Sequence, residues 1–184
     1  RSGRVTGVQT CALPICGFSA LLISVLLTGP LAAAEYSEGM QYLRLANPQP
    51  TSVADKVEVV ELFWYGCPHC FDLEPHIRQW LETKPDDVEF VRMPAVLGPG
   101  WELLGKGFYT AELLGVEDRI HPALFEALHV KKQKINDEAA LQDFFVNHGV
   151  SAEDFRKTFA SFAVSVKLNN AKAMTRRYAI TGVP

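Results

Sequence analysis

Val57-Glu58-Val59-Val60-Glu61-Leu62-Phe63-Trp64-Tyr65-Gly66-Cys67-Pro68-His69-Cys70 is the stretch that decides the reading of this chain. Val57 to Phe63 is rich in β-branched and aromatic residues, which predicts a strand buried on both faces. Gly66 then breaks the strand. Pro68 suits the first position of a helix, where its missing N–H would be unpaired anyway. Cys67 is thereby placed at a helix N-terminus, where free backbone N–H groups and the helix dipole favour a thiolate over a thiol. His69 adds in the same direction if it is protonated or donates a hydrogen bond. Each unit of pKa depression is about 1.4 kcal/mol of preference for the ionised form. Cys70, one turn into the helix, falls on the inner side as a shielded, resolving thiol. Two thiols at this spacing close a small ring and reopen it by thiolate exchange, so the expected work is moving disulfides.

Glu61 stands out as a charged residue in the predicted strand. A carboxyl group held in an apolar place keeps its proton to higher pH, so Glu61 is a candidate to take or relay the proton of Cys70. The plainer alternative is a strand residue that reaches solvent or pairs with a lysine. A C-x-x-C can also be half of a zinc site, but that requires a second pair or suitably spaced histidines. The remaining cysteines, Cys11 and Cys16, lie in or before an apolar leader, and His76, His121, His129 and His148 are scattered over predicted helices. A lone helical histidine ordinarily serves as a surface or core residue. Redox chemistry is the expectation and metal binding is not.

The stretch from Phe18 to Leu27 is apolar and is followed by Gly29-Pro30 and Leu31-Ala32-Ala33-Ala34, which fits a signal peptide over residues 16–34 cleaved before Glu35. It is short for a membrane span, which needs about 20 residues. The preceding string Val5-Thr6-Gly7-Val8-Gln9-Thr10-Cys11-Ala12-Leu13-Pro14-Ile15 resembles the translation of a sequencing-adapter oligonucleotide, so residues 1–15 are expected to be foreign. The formal net charge is −3, with 18 Lys and Arg against 21 Asp and Glu. Setting Arg1 and Arg4 aside makes it more negative. This mildly acidic balance argues against nucleic acid as a partner. In residues 35–184 Cys67 and Cys70 are the only cysteines. An exported chain with a single C-x-x-C uses it for chemistry, since a disulfide framework needs more cysteines.

A short entry strand is expected over Gln41–Leu45, then a loop at Asn47-Pro48-Gln49-Pro50. After the first strand, a helix from Pro68 to about Thr83 carries Leu73, Ile77, Trp80 and Leu81, and Val88–Met93 reads as a parallel strand, giving a βαβ unit. From Gly98 the period becomes helical. Trp101, Leu104, Phe108 and Ala111 share a face that Gly115 can end. His121-Pro122 is expected to open the next helix, Asn136 or Asp137 to cap a third, and Ser151-Ala152-Glu153-Asp154 to begin a fourth in the manner of a capping box. A longer helix is predicted from about Ser161 to Tyr178. The aromatic stripes read as the core of a helical bundle.

A strand, Cys-Pro-His-Cys at a helix start, a second strand, a helical block and Gly182-Val183-Pro184 together resemble the DsbA family of periplasmic thiol:disulfide oxidoreductases. Tyr42, Glu61-Leu62-Phe63 and Gly115-Val116-Glu117 add to the likeness, which covers Glu35 to Pro184. The resemblance implies an α/β, thioredoxin-like fold with an inserted α-helical domain. Residues 35–96 would be its first thioredoxin-like part, 97–178 the insert, and 179–184 the start of the second part. It implies an exposed attacking Cys67, a buried Cys70, a Pro68-His69 pair that tunes the potential, and Glu61 as the buried acid. It also implies a cis peptide bond before Pro184, with Val183 offering its backbone to an extended substrate segment. Two strands and a closing helix are expected after Pro184, and the chain as written is expected to be poorly stable and weakly active.

The function implied is a periplasmic dithiol oxidase working through its own Cys67–Cys70 disulfide with no other cofactor. Its partners would be unfolded exported proteins with free thiols and a membrane quinone-linked reoxidase of the DsbB type, and the enzyme would be a monomer. Two alternatives are a disulfide isomerase or reductase on the same fold and a non-catalytic export chaperone. Isomerases of this kind add an N-terminal dimerisation domain, for which residues 35–41 leave no room.

Overall fold

The computed structural model describes residues 35–184, in two compact units divided after Arg44. The foreign segment expected at 1–15, the signal peptide expected at 16–34, Cys11 and Cys16 lie outside the described residues. In the first unit the chain folds back at Gly39, whose φ of 85° belongs to the left-handed region that glycine enters without steric cost. Gly39 N–H donates to the Tyr42 carbonyl at 2.8 Å, and Ser37 N–H donates to Gln41 Oε1 at 2.8 Å. The strand expected over Gln41–Leu45 is therefore not formed. A local turn, with an isolated bridge between Glu38 and Tyr42, takes its place.

The second unit, Leu45–Pro184, opens with β1 (Val57–Phe63), α1 (Pro68–Leu81) and β2 (Val88–Pro94). The strands pair in parallel, from Val57 opposite Val88 to Phe63 opposite Pro94, as the βαβ reading requires. Cys67 is the extended N-cap of α1, and Pro68 occupies its first turn. The helix continues through Pro75, which removes only the hydrogen bond that would reach the Phe71 carbonyl.

Burial of β1 on both faces is not what the structure shows. Phe63 is fully buried, but Val57 is 60% and Val59 38% exposed. Among the described residues β1 has one neighbour, β2, and an open apolar groove of about 420 Å³ runs along Val59, Leu62, Leu73, Ile77, Phe90 and Pro184. The strand is thus covered at its C-terminal end, where it meets the helices, and bare at its start.

Five helices follow: α2 (Pro99–Leu113), α3 (Glu117–His129), α4 (Glu138–Asn147), α5 (Ala152–Phe159) and α6 (Phe162–Arg177). Gly115, at φ 65°, ends α2 by letting its own N–H reach the Glu112 carbonyl at 3.0 Å and Val116 N–H reach the Ala111 carbonyl at 2.9 Å. Helix α3 starts at Glu117 and not at His121-Pro122. Glu117 and Asp118 in the first turn complement the helix dipole, and Pro122 sits inside the helix at the loss of one backbone hydrogen bond. Asp137, Ser151 and Ser161 cap α4, α5 and α6 by accepting from the N–H groups of Ala140, Asp154 and Val164.

One apolar cluster joins all of these elements. It includes Phe63 and Tyr65 from the end of β1 and Phe108, Phe125, Phe145 and Phe155 from the helices. Helix α2 packs against α3, α5 and α6, while α1 packs on α3. This contact between α1 and α3 places the C-x-x-C helix over the helical block. No helix among the described residues is long and apolar enough to cross a membrane.

Candidate functional site

The turn that delivers the cysteines is rigidly built. Cys67 N–H donates to the Trp64 carbonyl at 2.9 Å, and the Trp64 indole stacks on Trp101 with ring centres 4.3 Å apart. Gly66 is required where it stands: a Cβ there would lie 2.4 Å from the Trp64 ring. Cys67 and Cys70 are both free thiols. Cys67 retains 7% exposure and Cys70 none, so the attacking position is a small window in the surface and not an open side chain. The Cys67 thiol donates to the Val183 carbonyl at 3.4 Å, and the Val183–Pro184 peptide bond is cis. The sequence-predicted Cys67, Cys70, Val183 and Pro184 therefore converge. Pro68 and His69 are exposed at the start of α1, and among the described residues His69 makes no side-chain hydrogen bond to either sulfur.

Behind Cys70 the wall is charged. Burial pushes the Cys70 thiol up to about 12, with the neighbouring Cys67 and Glu61 acting in the same direction and the Trp64 backbone opposing them. Glu61 is buried and reaches neither solvent nor a lysine. Its Oε2 lies 3.3 Å from Arg92 Nε, close enough to pair but without an aligned hydrogen bond. Burial, then the negative charge of Glu74, raises Glu61 to about 7 against the pull of Arg92.

The sequence reading missed Glu74, Arg92, His121 and Tyr65. Arg92 Nη2 reaches Glu74 Oε2 at 3.3 Å, His121 Nε2 lies 3.0 Å from Glu74 Oε1, and Tyr65 Oη lies 2.9 Å from His121 Nδ1. Burial alone would raise Glu74, but the hydrogen bond from His121 and the Arg92 charge outweigh it and hold the carboxyl below its ordinary value. A signal was present for Glu74: with Cys70 and Ile77 it occupies the buried face of α1 at helical spacing. Arg92 is directly opposite Glu61 in the parallel register, which any pairing of the two strands by their first residues would have given.

A family model described as a DSBA-like thioredoxin domain matches residues 97–184. The thiol:disulfide interchange protein DsbA of Pseudomonas syringae pv. tomato is 45% identical over 168 residues, covering 90% of this chain and 78% of that protein. The chain belongs to the DsbA family. Among solved structures, the crystal structure of Pseudomonas aeruginosa DsbA matches with a TM-score of 0.77 and 45% identity, over 81% of this chain and 78% of that one. A complex of Proteus mirabilis DsbA, a cysteine-to-serine variant, with the non-covalently bound peptide PWATCDS matches with a TM-score of 0.69 and 30% identity, over 82% and 80% of the two chains. The α/β, thioredoxin-like DsbA fold implied by the sequence is thereby established, with the helices α2 to α6 following the βαβ unit.

Proposed function

We propose that this DsbA-family chain is a thiol:disulfide oxidoreductase that introduces disulfides into exported proteins through Cys67 and Cys70. The observation that carries the reading is the asymmetry of the pair: Cys67 opens to the surface beside the Val183 carbonyl, whereas Cys70 is sealed. In the oxidised protein a substrate thiolate attacks Cys67 Sγ, the Cys67–Cys70 bond breaks, and Cys70 leaves with the electron pair. Glu61 supplies the proton that turns this thiolate into a thiol. The order of affinities favours the transfer, since Cys70 binds a proton far more tightly than Glu61 does. A second substrate thiolate then attacks the substrate sulfur of the mixed disulfide. The substrate leaves oxidised, Cys67 leaves as a thiolate, and the protein holds two electrons as the dithiol. A membrane quinone-linked reoxidase of the DsbB type removes them. The redox group is the cysteine pair itself.

Residues 35–96 and 179–184 serve in this reading as the thioredoxin-like part and 97–178 as the helical insert. Pro68 and His69 set the potential of the pair, and the Val183 backbone, shaped by Pro184, holds an extended substrate segment. The peptide-bound relative supports such a subsite. The chain works in the periplasm after cleavage before Glu35. With glutathione disulfide as the two-electron oxidant, Cys70→Ser incubated with reduced, unfolded substrate should accumulate a substrate mixed disulfide on Cys67, visible by mass spectrometry, while Cys67→Ser should form none. Equal trapping by both variants, or by neither, would reject the assignment. Unchanged suppression of substrate aggregation by Cys67→Ala, with its cellular phenotype intact, would favour a binding protein instead.

A further inference from the structure

Glu61, Tyr65, Glu74 and His121 are all buried, and they come from β1, the turn after it, α1 and α3. With Arg92 from β2 they form one chain of contacts that ends behind Cys70. The hydrogen-bond roles along it are fixed by chemistry. Burial keeps Tyr65 a phenol, and Glu74 is a carboxylate that can only accept. His121 Nε2 must therefore donate to Glu74 Oε1, and Nδ1 must accept from the Tyr65 hydroxyl. Burial also disfavours the imidazolium, against the pull of Glu74, and the neutral ring that meets both neighbours in these roles is held in one tautomer.

We propose that His121, locked in this tautomer by Tyr65, is a positioning residue for the Cys70 proton step, anchoring Glu74 so that the Arg92 guanidinium stays divided between Glu74 and Glu61. Without the Nε2–H, Glu74 Oε1 would be a buried acceptor with no donor, which is costly. The Arg92 guanidinium, already 3.3 Å from each carboxylate, is the group that can turn to serve it. Glu61 would then lose its opposing charge and hold its proton more tightly. The other charged groups that bear on His121 and Glu74 are Arg78 from α1 and, through Tyr65 and Glu74, Glu117 from α3. They are left in place in every variant below.

The inference rests on Glu61 as the proton partner of Cys70, so the experiment separates the two. Full-length protein carrying a glutathione mixed disulfide on Cys67 releases glutathione when Cys70 attacks, and this rate is followed against pH. For the wild type the rate should rise through the titration of Glu61. His121→Phe should move the midpoint up by about half to one pH unit, slowing release roughly three- to tenfold below it. His121→Gln, whose amide can still donate to Glu74, should restore the midpoint, and Tyr65→Phe should shift it less in the same direction. If Glu61→Gln leaves the midpoint in place, the Glu61 reading fails. If Glu61→Gln removes the titration while His121→Phe leaves it unmoved, the role of His121 is overturned. Should His121→Phe not fold, an unmoved midpoint in Tyr65→Phe overturns the tautomer lock by itself.

Discussion

Replacing Glu61 by Gln measures what it costs this protein to charge a carboxylate in the sealed wall behind Cys70. The side chain is 5% exposed, and its Arg92 partner is close but poorly aligned. Burial and Glu74 lift its pKa from 4.5 to about 7. A folded-state value above the unfolded one means that the native protein holds the proton more tightly. The resulting stability is fully present below pH 4.5 and is lost as the pH rises through 7. The interval corresponds to about 3 kcal/mol. An amide does not titrate, so urea unfolding of reduced wild type and Glu61→Gln at pH 4 and pH 8.5 isolates the effect, because other groups cancel in the double difference. The wild type should lose about 3 kcal/mol relative to the variant between the two pH values, with an unchanged denaturant slope. A double difference below about 0.5 kcal/mol, the usual error of additivity, would refute the reasoning.

Three further substitutions probe the frame of the site. Gly66→Ala drives a Cβ to 2.4 Å from a Trp64 ring that Trp101 holds in place, so thermal unfolding should show a loss of about 1–3 kcal/mol. Phe125→Ala empties a position in ring contact with Phe63, Tyr65 and His121, and denaturant titration should register a cost of about 3–5 kcal/mol. Asp137→Ala removes the acceptor of the Ala140 N–H, 2.8 Å away, and should cost about 1 kcal/mol by the same measurement without altering the reaction of the cysteines.

What could be read from the chain itself was whatever is written in neighbouring residues. Gly66 and Pro68 fix a strand end and a helix start within a few positions, so the place of Cys67 followed from backbone rules alone. Asp137, Ser151 and Ser161 announced their helices in the same way. His121-Pro122 misled because a proline is compatible with either a helix start or a helix interior, and the acidic pair Glu117-Asp118 decided between them. The exposed start of β1 was missed because composition reports what a strand could bury and not which neighbours it meets. Arg92 and His121 were hidden for a similar reason. A buried polar side chain is tolerable only with partners, and here those partners are brought from four elements by the packing of α1 on α3.

The hydrogen bond from the Cys67 thiol to the Val183 carbonyl exists only while that sulfur carries a hydrogen. Ionisation to the thiolate and disulfide formation both remove the hydrogen and leave the carbonyl open to the N–H of an incoming extended peptide. On the proposed function the acceptor is vacant both in the oxidised form and while Cys67 is a thiolate, and it is covered only in reduced molecules whose Cys67 has taken up a proton. One hydrogen bond is worth about 0.5–1.5 kcal/mol net, a roughly two- to tenfold difference in affinity. The same sulfur that accepts the electrons thus decides, through whether it carries a hydrogen, if one backbone oxygen of the proposed substrate subsite is free.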